Sequence, residues 1–149
     1  MIKIEKMNKK FTLKISAGDQ EILFTFAQLN YFTRNKIASL TTSYSQGNVL
    51  SDVGLVSFYN IKYALKEAKG LVDESGGEYK LTFVEGEDCL TDECVDELLA
   101  SELDDALLYS AMSLGAKVPT EILNPVTKLP IEGVEIIASK EKGEEVKKP

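Results

Sequence analysis

Phe11-Thr12-Leu13-Lys14-Ile15 and Ile22-Leu23-Phe24-Thr25-Phe26 are the stretches on which the fold turns. Both alternate apolar with polar or smaller side chains, the period of a strand with one face against a core. Ala17-Gly18-Asp19-Gln20 between them has the composition of a tight turn, so the pair reads as an antiparallel β-hairpin. A short strand over Ile2 to Lys6 is expected to precede it.

Beyond Phe26 the period lengthens. Ile37, Leu40 and Tyr44 recur at helical spacing, with Asn30 or Thr33 as the capping residue and Gly47 as the stop. Ser51 or Asp52 opens a second helix. It carries two apolar stripes, one of Leu55, Val56, Tyr59 and Tyr63, the other of Phe58, Ile61, Leu65 and Ala68, and is expected to end at Gly70. After the turn Asp73-Glu74-Ser75-Gly76-Gly77, the segment Glu78 to Val84 alternates again and is expected to join the hairpin's sheet. Thr91 caps a long third helix to about Gly115, with Asp92 and Glu93 in the first turn, where the helix dipole favours carboxylates. Pro119, Pro125 and Pro130 then make regular structure improbable, apart from a short strand at Val134 to Ile137. The expected fold is α+β: an N-terminal antiparallel β-hairpin joined by a later strand and packed with about three helices. Residues 1–137 form the expected domain and 138–149 a disordered charged tail.

Composition narrows the chemistry. The 149 residues are 44% hydrophobic, and a chain of that length buries roughly 68 to 70% of its unfolded surface, enough for one core. The net charge is −7. Such an excess disfavours nucleic acid and anionic membranes as partners and favours a basic or mixed-charge protein surface. No apolar run reaches the roughly 18 to 20 residues of a membrane span, and the first residues lack a secretory pattern, so a cytoplasmic location is expected.

There is no histidine. Serine or cysteine nucleophiles therefore lack their usual base, and no phosphate-binding glycine loop occurs. Cys89 and Cys94, the two cysteines, are separated by four residues and read as ordinary thiols, with no metal or cofactor site expected. Glycosidase carboxylates would need a sugar-shaped aromatic cleft, and there is no Trp. The run from Glu85 to Glu93 lacks the alternating ligands of a calcium loop. Lys3, Lys6, Lys9, Lys10 and Lys14 read as a solvated strand and edge guard. A non-enzymatic binding protein is what remains.

The negative charge is concentrated. Residues 81–116 hold ten acids and no Lys or Arg, which leaves the rest of the chain at +3. On a helical wheel Asp92, Glu93, Asp96, Glu97 and Asp104 span about 140° of the third helix, opposite Val95, Leu98, Leu99, Ala106 and Tyr109. Further along, Leu107, Leu108, Ala111, Met112 and Leu114 make it apolar nearly all round. Such a segment is either enclosed by its own fold or covered by another chain, including another copy in a homo-oligomer. Glu102 falls inside the apolar arc and is expected at its edge. The candidate partner-binding residues are thus Asp92, Glu93, Asp96, Glu97, Asp104, Leu107, Leu108, Met112 and Leu114.

One resemblance emerges from the order of these features. The hairpin, the strand end Phe24-Thr25-Phe26, and Gln28-Leu29-Asn30-Tyr31 leading into a polar helix with Arg34 and Ile37 resemble the opening of the small tail assembly chaperones of long-tailed bacteriophages. The resemblance covers the first half of the chain. It implies a protein without catalytic residues, made in the host cytoplasm, that binds the tape measure protein, keeps it soluble, helps the tail tube polymerise around it, and is absent from the finished particle. Members of that family are often also made as a frameshifted, longer product, with which Lys147-Lys148 would be compatible. Two other readings fit the same acidity and size: an acidic secretion-system chaperone that binds an unfolded effector, and an inhibitor that mimics DNA with its carboxylates.

Overall fold

In the computed structural model the described residues are 1–4, 9–101, 103, 110, 119, 121–124 and 126–141. The alternating stretches form strands β1 (Lys9–Ala17) and β2 (Gln20–Ala27), paired antiparallel with Phe11 opposite Phe26, Leu13 opposite Phe24 and Ile15 opposite Ile22. Because successive side chains leave a strand on opposite sides, these six share one face. All six are buried. The Phe11 and Phe26 rings stack at 5.6 Å, with Phe24 at 6.5 Å from Phe26. The other face is polar: the Thr12 and Thr25 hydroxyls are 3.1 Å apart, and Lys14 lies between Glu21 and Glu135.

Helix α1 (Tyr31–Thr41) starts where the Asn30 side chain accepts the Thr33 N–H at 2.8 Å. It ends well before Gly47. The chain instead forms a separate ribbon, β3 (Thr42–Ser45) and β4 (Asn48–Ser51), joined through Gln46 and Gly47. Both turn residues have positive φ, 52° and 81°, the signature of a type I′ hairpin turn. Gly47 does supply a left-handed residue, but to a hairpin and not to a helix stop.

Asp52 caps α2 (Val53–Ala64), accepting the Leu55 N–H at 3.1 Å. The expectation that this helix continues to Gly70 is corrected: Leu65 turns extended, and β5 (Leu65–Lys69) pairs antiparallel with β2. Leu, Lys, Glu and Ala are all good helix formers, so ladder formation and burial of Leu65 override local propensity here. Since β5 takes the free side of β2, Glu78 to Val84 cannot join the sheet as expected. That segment is a loop, tied by isolated bridges between Val72 and Glu78 and between Phe83 and Leu90.

The fourth strand is β6 (Val134–Glu141), which gives the order β5-β2-β1-β6 with every neighbour antiparallel. The fold is α+β, with the hairpin joined by later strands as expected. The strand reaches Glu141 where it was expected to end at Ile137, so 138–141 belong to the sheet and not to a tail. Residues 142–149 lie outside the described residues. Met1 to Ile4 have no regular structure, and the remainder of the expected Ile2 to Lys6 strand lies outside the described residues. Ile37, Ile61, Ala64, Leu90, Val95, Leu98 and Ile122 join the apolar sheet face in one core. Among the described residues no helix is long and apolar enough to cross a membrane.

Candidate partner-binding groove

Thr91 opens α3 (Asp92–Leu99), its side chain accepting the Cys94 N–H at 3.1 Å. The single helix expected to Gly115 is corrected. At Ala100 the backbone N–H is shared between the carbonyls of Asp96 and Leu98. The Ser101 hydroxyl then donates to the Leu98 carbonyl at 2.6 Å and accepts the Leu103 N–H at 3.2 Å. A serine that bonds the backbone in this way competes with the helical ladder and stops it. Glu102, Asp104, Leu107, Leu108, Met112 and Leu114 lie outside the described residues; Ser110 is buried.

Along α3 the expected two faces are present: Asp92, Glu93, Asp96 and Glu97 are exposed, while Cys94, Val95 and Leu98 are buried. The acids differ in their engagements. Lys62 Nζ reaches Asp92 at 2.6 Å, and the Tyr79 hydroxyl donates to Glu97 at 2.9 Å. Burial lowers the Lys62 pKa, but the hydrogen bond and charge of Asp92 outweigh it and raise the group above its usual 10.5. With a raised folded pKa, the stabilisation is complete below 10.5 and is lost as pH climbs through the folded value. The Asp92 side chain is 65% exposed, which limits the pair to about 1 kcal/mol or less. Asp92→Asn is therefore expected to lower thermal stability slightly at neutral pH. Melts compared across the alkaline range should converge; a gap that persists once Lys62 has lost its proton would contradict this account.

The segment after β5 supplies the other wall. Asp73 Oδ1 accepts the Ser75 N–H (2.9 Å), the Ser75 hydroxyl (2.7 Å) and the Gly77 N–H (3.0 Å), an arrangement that holds its pKa below the usual 3.8, the Ser75 hydroxyl foremost. The turn thus presents a fixed negative charge. Tyr79 N–H donates to the Leu71 carbonyl at 3.0 Å and closes the loop. Its hydroxyl lies 3.4 Å from Cys94 Sγ as well as on Glu97, which pins the loop to α3. Burial first, then Cys94 and Glu97, push the phenol far above its ordinary range, so it stays a neutral donor.

Between the loop and α3 lies a groove of about 540 Å³. Leu71, Tyr79 and Leu98 are its more buried lining, while Asp73, Glu74 and Glu97 are exposed around it. Acids from two distant segments thus meet around one apolar floor. Among the described residues selected from the sequence, Glu97 lines it directly, and Asp92, Glu93 and Asp96 are on the same short helix. Asp73 and Glu74 were legible only as a turn. Compared with known proteins, no family model, no curated protein and no solved structure matches this chain.

A second cavity of about 940 Å³ is lined by Lys10, Asn30, Lys66, Glu67, Glu87, Asp88 and Cys89 among others. Its charges are of both signs, and Lys66 is held by the Asp88 carboxylate (3.2 Å) and carbonyl (2.6 Å). Cys89 is buried, and burial pushes its thiol pKa up, which opposes the thiolate a nucleophile requires. Both cysteines are free thiols, and no cluster of His, Cys, Asp or Glu among the described residues could hold a metal. The groove, with one sign of charge over an apolar floor, has the more selective character.

Proposed function

We propose that this chain is a non-enzymatic assembly chaperone of the tail-assembly type, which holds a basic, amphipathic segment of a phage tape measure or tail tube protein. The observation that carries the reading is the groove, where Asp73, Glu74 and Glu97 border Leu71, Tyr79 and Leu98. Apolar side chains of a client would leave water on the floor, and its Lys or Arg would meet the surrounding carboxylates. Burial supplies affinity; the charges supply orientation and encounter rate. Internal engagement of Asp92 and Glu97 weighs against a free row of carboxylates spaced like DNA phosphates.

The test is titration of the full chain with a phage tape measure protein, at low and high salt. The wild type is expected to bind with an affinity that falls as salt rises. Glu74→Lys with Glu97→Lys is expected to weaken binding by about tenfold or more, on the order of 1.4 kcal/mol. Neither side chain is buried, but Glu97→Lys removes the acceptor of the Tyr79 hydroxyl, so the double variant is expected to lose about 1 kcal/mol of stability. Glu74→Lys alone should weaken binding with little change in melting temperature. Equal binding by the double variant, or no binding by the wild type at either salt, would refute the proposal.

A further inference from the structure

The β3–β4 ribbon stands apart from the core in composition and in pairing. The whole chain is 28% charged, yet between Ile37 and Ile61 the one charged residue is Asp52, the cap of α2. Seven of the ribbon's eight strand residues are exposed, including Tyr44 (78%), Val49 (64%) and Leu50 (51%). Tyr44 and Val49 are direct cross-strand neighbours and so share a face.

The turn fixes which backbone groups are free. In a two-residue hairpin the flanking residues, here Ser45 and Asn48, form the hydrogen-bonded pair, and bonding alternates from there. The N–H and C=O groups of Tyr44, Val49 and Ser51 and the carbonyl of Thr42 consequently point outward, while the Thr42 N–H closes α1 on the Ala38 carbonyl. Among the described strands none pairs with either outer edge. The four-stranded sheet is guarded differently: its edge strands carry Lys66, Glu67 and Lys69 on β5 and Glu135 on β6. Charged residues of that kind are how open edges are kept from pairing, and the ribbon has none.

We infer that the β3–β4 ribbon is a self-association surface, pairing edge to edge with the ribbon of a second copy. Charge selects this occupant. Two molecules at −7 repel, and an uncharged ribbon is where they can meet without opposing like charges. An identical ribbon also offers the matching row of unpaired backbone groups and another Tyr44 and Val49 to cover. A lone two-stranded ribbon is marginal in water, whereas a four-stranded one is not. The inference is independent of the groove, whose residues it does not use.

Sedimentation equilibrium of the full chain tests it. The wild type is expected to move from 16.4 kDa toward twice that mass as concentration rises, with association preserved or strengthened by added salt, which screens the mutual repulsion. Val49→Lys, and separately Tyr44→Lys, should hold the chain at 16.4 kDa over the same range while the dilute protein melts as the wild type does. Glu74→Lys with Glu97→Lys, which brings the net charge from −7 to −3, should preserve or strengthen the association. A wild type that stays monomeric, a dimer that dissociates in salt, or lysine variants that retain the wild-type mass would each overturn the inference.

Discussion

Phe26→Ala is expected to lower the unfolding free energy by about 4 kcal/mol, within the 3 to 5 kcal/mol that deleting a buried phenylalanine ring costs. Phe26 is fully buried, stacks on Phe11 at 5.6 Å and lies 6.5 Å from Phe24. It also faces Leu65 across the bulged β2–β5 pairing. Three strands of the ladder therefore lose a common contact: β1, β2 and β5. The backbone of β2 is held on both sides by ladders, so the walls cannot close fully over the lost ring, and the cavity adds to the transfer cost. Against the 5 to 15 kcal/mol typical of a whole domain, about 4 kcal/mol lowers the melting temperature by roughly 8 to 16 °C. Urea denaturation of wild type and variant measures it. A loss below about 1 kcal/mol would mean that the aromatic cluster is not the centre of the core.

The aromatic hairpin was the easiest element to read because its alternation, turn and burial all agree. Reading failed where local and tertiary signals part. Leu65 to Lys69 is a sequence of helix formers that becomes strand because β2 offers a ladder and the core accepts Leu65. The spacing of Ile37, Leu40 and Tyr44 suits a helix, but only Ile37 is buried, and Tyr44 belongs to the ribbon. The Thr91 cap was legible, since a cap acts over three residues; the break after Leu99 was not, because it depends on where the Ser101 hydroxyl turns. The groove divides in the same way. The acids of α3 follow from their spacing on a helix, whereas the approach of Asp73 and Glu74 depends on Tyr79 bridging to Glu97 across 18 residues. No local pattern encodes that contact.

Gly70→Ala is the second substitution expected to act strongly, and it connects stability with the groove. Gly70 has φ +94° and links β5 to the loop that forms one groove wall. An added Cβ would lie 2.5 Å from the Glu21 carbonyl oxygen and 3.3 Å from the Ile22 Cα, both backbone atoms. Neither can swing aside as a flexible side chain would, because Glu21 and Ile22 are fixed in the β1–β2 ladder opposite Ser16 and Ile15. Left-handed backbone at a residue with a side chain costs about 1 to 3 kcal/mol by itself. Adding the clash, the loss should reach about 3 kcal/mol, with the main chain moving away from β2. That movement starts at the first residue of the groove wall, ahead of Leu71, Asp73 and Glu74. Gly70→Ala should therefore weaken client binding even at temperatures where the variant is folded, and should speed hydrogen exchange at the Tyr79 amide, which is bonded to the Leu71 carbonyl. Glu74→Lys alone, which leaves the Tyr79–Glu97 hydrogen bond in place, should do the reverse, reducing binding while leaving that amide protected. If Gly70→Ala instead unfolds within about 0.5 kcal/mol of the wild type, the approach of this residue to β2 is not a fixed feature of the fold, and the groove it positions loses its rigid wall.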